Sequence, residues 1–179
     1  MGAIHFYTPV RLVMGVLTTR EDLHDQVTRL LTESYGPILT ESTHVPFSFT
    51  DYYDEEMGGC PSRYFLVFKQ LVDPSRLSDI KIHTNEVEER FATEKGRVVN
   101  LDPGLLSAGS LILATTKNRS HRIPLEKGIY GETTLIYYGR QFHALPWTYA
   151  DYASDRFREL FKMYRSMYMQ QLKAEESKD

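Results

Sequence analysis

One cysteine, Cys60, stands in the 179 residues, so no intramolecular disulfide and no multi-cysteine zinc cluster can form. A chain built this way suits a reducing compartment, and the cytoplasm is its expected location. Long hydrophobic runs are missing: no stretch approaches the roughly 20 apolar residues of a membrane span, and no membrane partner is expected. The N-terminus, Met1-Gly2-Ala3-Ile4-His5-Phe6, has no basic region followed by an apolar run and is not read as a secretory signal. Phe6 stands where a myristoylation signal needs Ser or Thr. Charge of one sign is lacking too: a net charge of −3 gives no global pull toward nucleic acid, which is not an expected partner. There is no glycine-rich loop ending in Lys-Ser/Thr, no dinucleotide fingerprint and no His-Glu-x-x-His.

What is present is ordinary globular material. Hydrophobic residues make up 41% and charged residues 25%, with 12 Tyr and 9 Phe, a balance that supports a packed core rather than disorder. The length fits one domain, residues 1–179, with a core from about 10 to 172 and a frayed charged tail over 174–179.

Arg11 to Leu17 is a short apolar run of the kind that forms a buried strand. Thr19 can cap a helix carrying Glu21 and Asp22 in its first turn. Its stripe is Leu23, Val27, Leu30 and Leu31, and Gly36-Pro37 ends it. Val45 to Tyr53 suits a strand or extended arm, and Arg63 to Val72 is a second good strand. Asp73-Pro74 is a helix start; the helix runs to about Ala92, with β-branched Ile80, Ile82 and Thr84 as a possible break. Arg97 to Leu101 reads as a strand. Beyond it, Asp102-Pro103-Gly104 can cap a helix over Leu105 to Thr115, or a strand can occupy Leu111 to Thr115. Ile129 to Tyr138 is a long strand, turned at Gly139-Arg140 into Gln141 to Leu145. A final helix carries Phe157, Leu160, Phe161, Tyr164 and Tyr168. The predicted class is α+β: a ferredoxin-like β-α-β-β-α-β core with helices on one face of an antiparallel sheet, plus a β-hairpin and a C-terminal helix.

The segment richest in chemistry is Ala114 to Arg122, where Lys117, Arg119 and Arg122 stand with His121 and several hydroxyl and amide donors. Such groups grip phosphate or carboxylate, though a solvated loop has the same composition. Asp51, Asp54, Glu55 and Glu56 surround Tyr52-Tyr53; Asp51 and Glu56 are candidate ligands for a hard cation such as Mg²⁺, with His44 able to join, and Asp51 is expected to point inward. An exposed acidic turn accounts for the same residues. Asn100 and Asp102 close a predicted strand, where a carboxylate can act as base or metal ligand or simply cap a helix. Glu132 interrupts an apolar strand and is placed to face the basic segment. Cys60, in a Gly-Gly-Cys-Pro turn, reads as an incidental thiol.

Several of these stretches recur together: Phe49-Thr50-Asp51-Tyr52-Tyr53 with Glu56-Met57-Gly58, Val99 to Gly104, and Leu113 to Lys117 with His121-Arg122-Ile123. Gly128 to Glu132, and Leu145 to Tyr149 with Asp151-Tyr152, complete the set. In this combination the sequence resembles the bacterial family catalogued as domain of unknown function 4416, from about Val10 to the final helix. The resemblance implies a small bacterial protein of a family without an established activity. GTP binding is ascribed to some members; here Thr116-Lys117 lacks the aspartate of a guanine-reading motif, and no phosphate loop is present.

The expected function is binding of an anionic, phosphate-bearing small molecule or nucleotide through Asn100, Asp102, Lys117, His121, Arg122 and Glu132. A divalent metal such as Mg²⁺ can accompany it. Asp102, Lys117, His121, Arg122 and Glu132 are expected to converge on one concave surface. The alternative is a non-enzymatic adaptor that meets a protein partner through Trp147, Tyr149, Tyr152 and the aromatic C-terminal helix. No catalytic residue is assigned.

Overall fold

A computed structural model describes residues 2–49, 57, 59–94 and 96–177. Its centre is β1 (Val10–Thr18), in which every position is buried. Side chains alternate across a strand, so Val10, Leu12, Met14 and Val16 enter one core while Val13 enters another on the opposite face. β1 is followed by a single 3-10 turn (Glu21–Leu23) and α1 (His24–Tyr35). Thr19 does not cap this helix: its hydroxyl donates to the Met57 carbonyl. Thr18 closes the turn instead, its Oγ1 accepting from the Arg20 N–H at 2.9 Å.

β2 (Ile38–Glu41) is an edge strand, and among the described residues of the expected arm Val45–Pro46 forms a strand, β3. Both pair with β4 (Ser62–Val72). Residues 50–53 of that arm lie outside the described residues. Asp73 caps the next turn through the Ser75 N–H. α2 (Leu77–Arg90) then runs unbroken despite its β-branched residues, because Ile80, Thr84 and Val87 are buried against the sheet and packing outweighs propensity.

The helix considered after Asp102 does not form. β5 (Val99–Leu106) continues through Asp102-Pro103-Gly104, paired along its length with β1. A turn at Ser107–Ser110 leads into β6 (Ser110–Thr115). β7 (Ile123–Pro124), β8 (Tyr130–Tyr138) and β9 (Gln141–Ala144) complete the sheet. The β8–β9 turn places Gly139 and Arg140 at φ of 56° and 65°, the left-handed pair of a two-residue hairpin. A short α3 (Ala150–Ala153) precedes α4 (Asp155–Glu176), capped by Ser154. The helix runs to Glu176, and residues 178–179 of the expected tail lie outside the described residues.

The strand order is β2-β4-β1-β5-β6-β8-β7, with β3 beside β4 and β9 beside β8, and every pairing is antiparallel. The mixed α+β class is therefore as expected, but the helices are not confined to one face. α1 and α2 bury Val27, Leu31, Leu77, Ile80 and Val87 on one side, and α4 buries Phe157, Phe161 and Tyr164 on the other. The Arg11 guanidinium, fully buried, fastens α4 to the sheet by donating to the Phe68 and Lys69 carbonyls and to Gln171.

Candidate functional site

The site begins with a proline. β5 and β6 pair at only three positions, Gly104↔Leu113, Leu105↔Ile112 and Leu106↔Leu111. One residue earlier stands Pro103, which has no N–H to donate, and there the two strands part. Beyond it the backbone of Leu101 faces the gap, and buried backbone groups must find partners elsewhere. They find them on α2: Glu88 Oε1 accepts from the Leu101 N–H at 2.7 Å, and Lys81 Nζ donates to the Leu101 carbonyl at 2.8 Å. The two side chains are themselves 3.6 Å apart. Arg97 donates to Glu88 Oε2 at 3.1 Å and to Asn100 Oδ1 at 2.7 Å. Burial pushes the Glu88 carboxyl above its usual range, against the opposing pull of Lys81, the Leu101 N–H and Arg97.

Between the parted strands lies a cavity of about 110 Å³ whose lining includes Lys81, Arg97, Asn100, Asp102, Lys117 and Glu132. A second cavity, about 380 Å³, shares Asp102, Leu113, Lys117 and Tyr149 with it and is walled by Phe47, Phe49 and Tyr152. Together they make one cleft with a polar lobe and an aromatic lobe.

The floor of the aromatic lobe is an ion-pair triad. Arg63, 3% exposed, holds Asp102 Oδ2 at 3.0 Å with Nη1 and Asp151 Oδ2 at 3.1 Å with Nε. A buried cation of this kind requires carboxylates beside it. The two carboxyls differ. Burial would raise Asp102, yet Arg63 and Lys81 outweigh it and hold the group below its usual value. Burial prevails at Asp151 and raises it despite Arg63. Gly15 makes room for the assembly: a Cβ there would stand 2.7 Å from the Tyr152 hydroxyl and 3.1 Å from Arg63 Nη1.

The sequence-derived candidates fall into two sets. Asn100, Asp102, Lys117 and Glu132 line the polar lobe together. His121 and Arg122 do not line it; both are engaged by Glu132 Oε2, at 3.0 and 2.7 Å. Glu132 is 1% exposed, so it needs a cation beside it, which Arg122 supplies, while His121 adds a ring-nitrogen contact. Arg122 also donates to the Lys117 carbonyl and the Tyr149 hydroxyl, while His121 stacks on Trp147 at 4.8 Å. These two residues brace the loop around the cleft. Asp51 and Glu56 lie outside the described residues. Cys60 is exposed.

Arg63, Lys81, Arg97 and Asp151 were not among the candidates, and Tyr152 was one only for the adaptor reading. Arg63 opens an apolar strand, but an arginine there is more often exposed than buried; its burial is decided by Asp102 and Asp151, which come from other elements.

An antiparallel sheet with helices on both faces, opened at one end into a charged and aromatic cleft, defines an α+β protein with a built pocket. The chain belongs to the family described as Domain of unknown function (DUF4416), whose profile matches residues 8–168. No curated protein and no solved structure is significantly similar to it. Among the described residues no helix is long and apolar enough to cross a membrane.

Proposed function

We propose that the cleft binds an anionic, phosphate-bearing small molecule, with a nucleotide as the form that uses both lobes. The observation that carries this reading is the junction of the two lobes at Asp102, Lys117 and Tyr149. On one side Lys81, Arg97 and Lys117 supply positive charge beside the amides of Asn85 and Asn100, donors suited to phosphate oxygens. On the other, Phe47, Phe49 and Tyr149 offer faces on which a planar ring can stack. A Mg²⁺ carried with the phosphates would meet Asp102, the carboxylate kept ionised by Arg63. The adaptor reading has less support: Tyr152 is buried, Tyr149 accepts from Arg122, and the Trp147 indole donates to the Thr133 carbonyl.

Two further readings accompany this one. The order β2-β4-β1-β5, with α1 and α2 crossing the same face, supports a split β-α-β arrangement for the first half of the chain. A single cysteine suits a cytoplasmic setting.

Thermal unfolding with ATP, GTP, pyrophosphate and inorganic phosphate, each with and without Mg²⁺, tests the binding. A ligand at a hundred times its Kd adds about 2.7 kcal/mol, or roughly 5–10 °C for a chain of this size. Lys117→Ala should remove the shift while leaving the ligand-free midpoint within a few degrees. No shift with any of these compounds rejects the proposal.

A further inference from the structure

On the face of β4 opposite Arg63, four separate segments bring imidazoles and carboxylates together. His24 is the first residue of α1, Glu41 the last of β2, His44 lies in the loop before β3, and Glu21 sits in the 3-10 turn. His44 Nε2 is 2.7 Å from Glu41 Oε1, and His24 Nε2 is 3.6 Å from Glu41 Oε2. The donor atoms of His24, Glu41 and His44 all lie within 4.8 Å of one another. We propose that His24, Glu41 and His44 form a binding site for one divalent transition-metal ion of the zinc class.

Three features support the assignment. The first is the donor set: two imidazoles and one carboxylate suit zinc, cobalt and related ions, and three protein donors leave a coordination position for water or another oxygen. The second is spacing. Ligand atoms bound at about 2.0–2.1 Å around a tetrahedral ion stand roughly 3.3 Å apart; the two Glu41 oxygens lie 2.7 and 3.6 Å from the two imidazoles, and one donor atom from each residue falls within 4.8 Å of the others. Small side-chain rotations convert one arrangement to the other.

The third feature is the orientation of the rings. Both histidines turn Nε2 toward Glu41 and tie Nδ1 elsewhere: His44 Nδ1 to Glu21 Oε2 at 2.8 Å, and His24 Nδ1 to the Tyr64 hydroxyl at 3.1 Å. His44 also lies flat on the Tyr64 ring, 3.8 Å away. Metal-binding histidines are held by such outer partners, which fix the ring and the tautomer. Glu21 and Tyr64 are positioning residues here. The three donor side chains are 23%, 31% and 30% exposed, open enough for an ion to enter from solvent. This site is independent of the phosphate-binding reading and survives its failure.

The test uses the full chain, freed of metal by chelator and dialysed, then titrated with Zn²⁺ and Co²⁺. Expected are one ion per chain and a Co²⁺ visible spectrum of nitrogen and oxygen ligands, without the thiolate charge-transfer band that Cys60 would give. His24→Gln, His44→Gln and Glu41→Gln should each weaken binding more than tenfold, and Glu21→Gln about tenfold. Midpoints of thermal unfolding without metal show whether each variant folds. Should one fail to fold, histidine NMR of the wild-type chain replaces it: Zn²⁺ must shift His24 and His44 and leave His83 and His143 unmoved. The proposal is overturned if no ion binds stoichiometrically, which leaves His44 as a charged link between Glu21 and Glu41. Undiminished binding in the His24→Gln/His44→Gln double variant overturns it equally.

Discussion

At Gly15 the side chain is absent because three others occupy the space. A Cβ would lie 2.7 Å from the Tyr152 hydroxyl and 3.4 Å from the Asp102 Cβ. Tyr152 cannot yield easily, since its ring stacks on Phe161 and meets Phe65 edge-on. Gly15→Ala should therefore cost about 1–3 kcal/mol in urea unfolding, the usual range for overpacking. The Tyr152 hydroxyl is buried without a hydrogen-bond partner among the described residues, so Tyr152→Phe should be neutral or stabilising. The double variant should then cost less than the sum of the two; strict additivity would deny the contact. The neighbouring carboxyls allow a pH test. Asp102 is held low and Asp151 raised. Since Asp102's folded pKa is depressed, its contribution is present above its unfolded value of about 3.9 and is lost as pH falls through the folded pKa. Asp102→Asn should thus cost about 1.5–3 kcal/mol at pH 7, a deficit that narrows only below about pH 4. A carbon-13 titration should find Asp151 protonating first on acidification, and the opposite order would refute the triad's assignment.

One dipeptide, used twice, shows how far an element can be read from its residues. Asp73-Pro74 was read as a helix start and is one, because Asp73 accepts from the Ser75 N–H and Ser75 itself. Asp102-Pro103 carries the same signal and lies inside a strand. What differs is tertiary: Arg63, 39 positions away in the chain, takes the Asp102 carboxylate, and β1 pairs with the whole segment. Legible features were those with local causes, namely the apolar run of β1, the stripe of α1, the turn at Gly139-Arg140 and the cap at Asp73. Asn100 and Asp102 were legible as polar residues closing a predicted strand, Lys117 as part of a basic segment, and Glu132 as a charge interrupting an apolar strand. Arg63, Lys81 and Asp151 were not, because their roles depend on partners from other elements. The clearest case is α2 serving the open edge of β5. Lys81→Met would orphan the Leu101 carbonyl and leave Glu88 with less compensation, at a cost of about 3–5 kcal/mol. Glu88→Gln, whose amide oxygen can still accept from Leu101, should cost less. Amide exchange at Leu101 should quicken in the Glu88→Ala variant. A Lys81→Met protein within about 0.5 kcal/mol of wild type would mean that water serves the strand edge equally well.

Across the molecule, the sheet is a wall shared by two cores, and this bears on whether the chain unfolds as one unit. α1 and α2 cover one face and α4 the other, yet both cores draw on alternate residues of the same strands: Met14 and Val13 in β1, Leu66 and Phe65 in β4. Losing either layer exposes strands that the other needs. α4 comes last in the chain but closes onto its beginning, through Gln171 to Arg11 and the Tyr168 hydroxyl to the Pro9 carbonyl. The strands β6, β8 and β9 are less deeply tied, since β5 and β6 share only three paired positions. If the cores are coupled, Trp147 beyond β9 must report the same transition as the helices. Trp147 fluorescence and far-ultraviolet circular dichroism should therefore give coincident urea midpoints. Phe161→Ala removes a ring that is fully buried and packs on Phe65, Tyr152 and Tyr164, a loss of about 3–5 kcal/mol. It should move both midpoints by the same amount, although Phe161 and Trp147 lie on different elements. Separate midpoints, or a variant that shifts the dichroism and leaves the fluorescence in place, would mean that the β6–β9 half opens on its own and that the split at Pro103 divides the molecule.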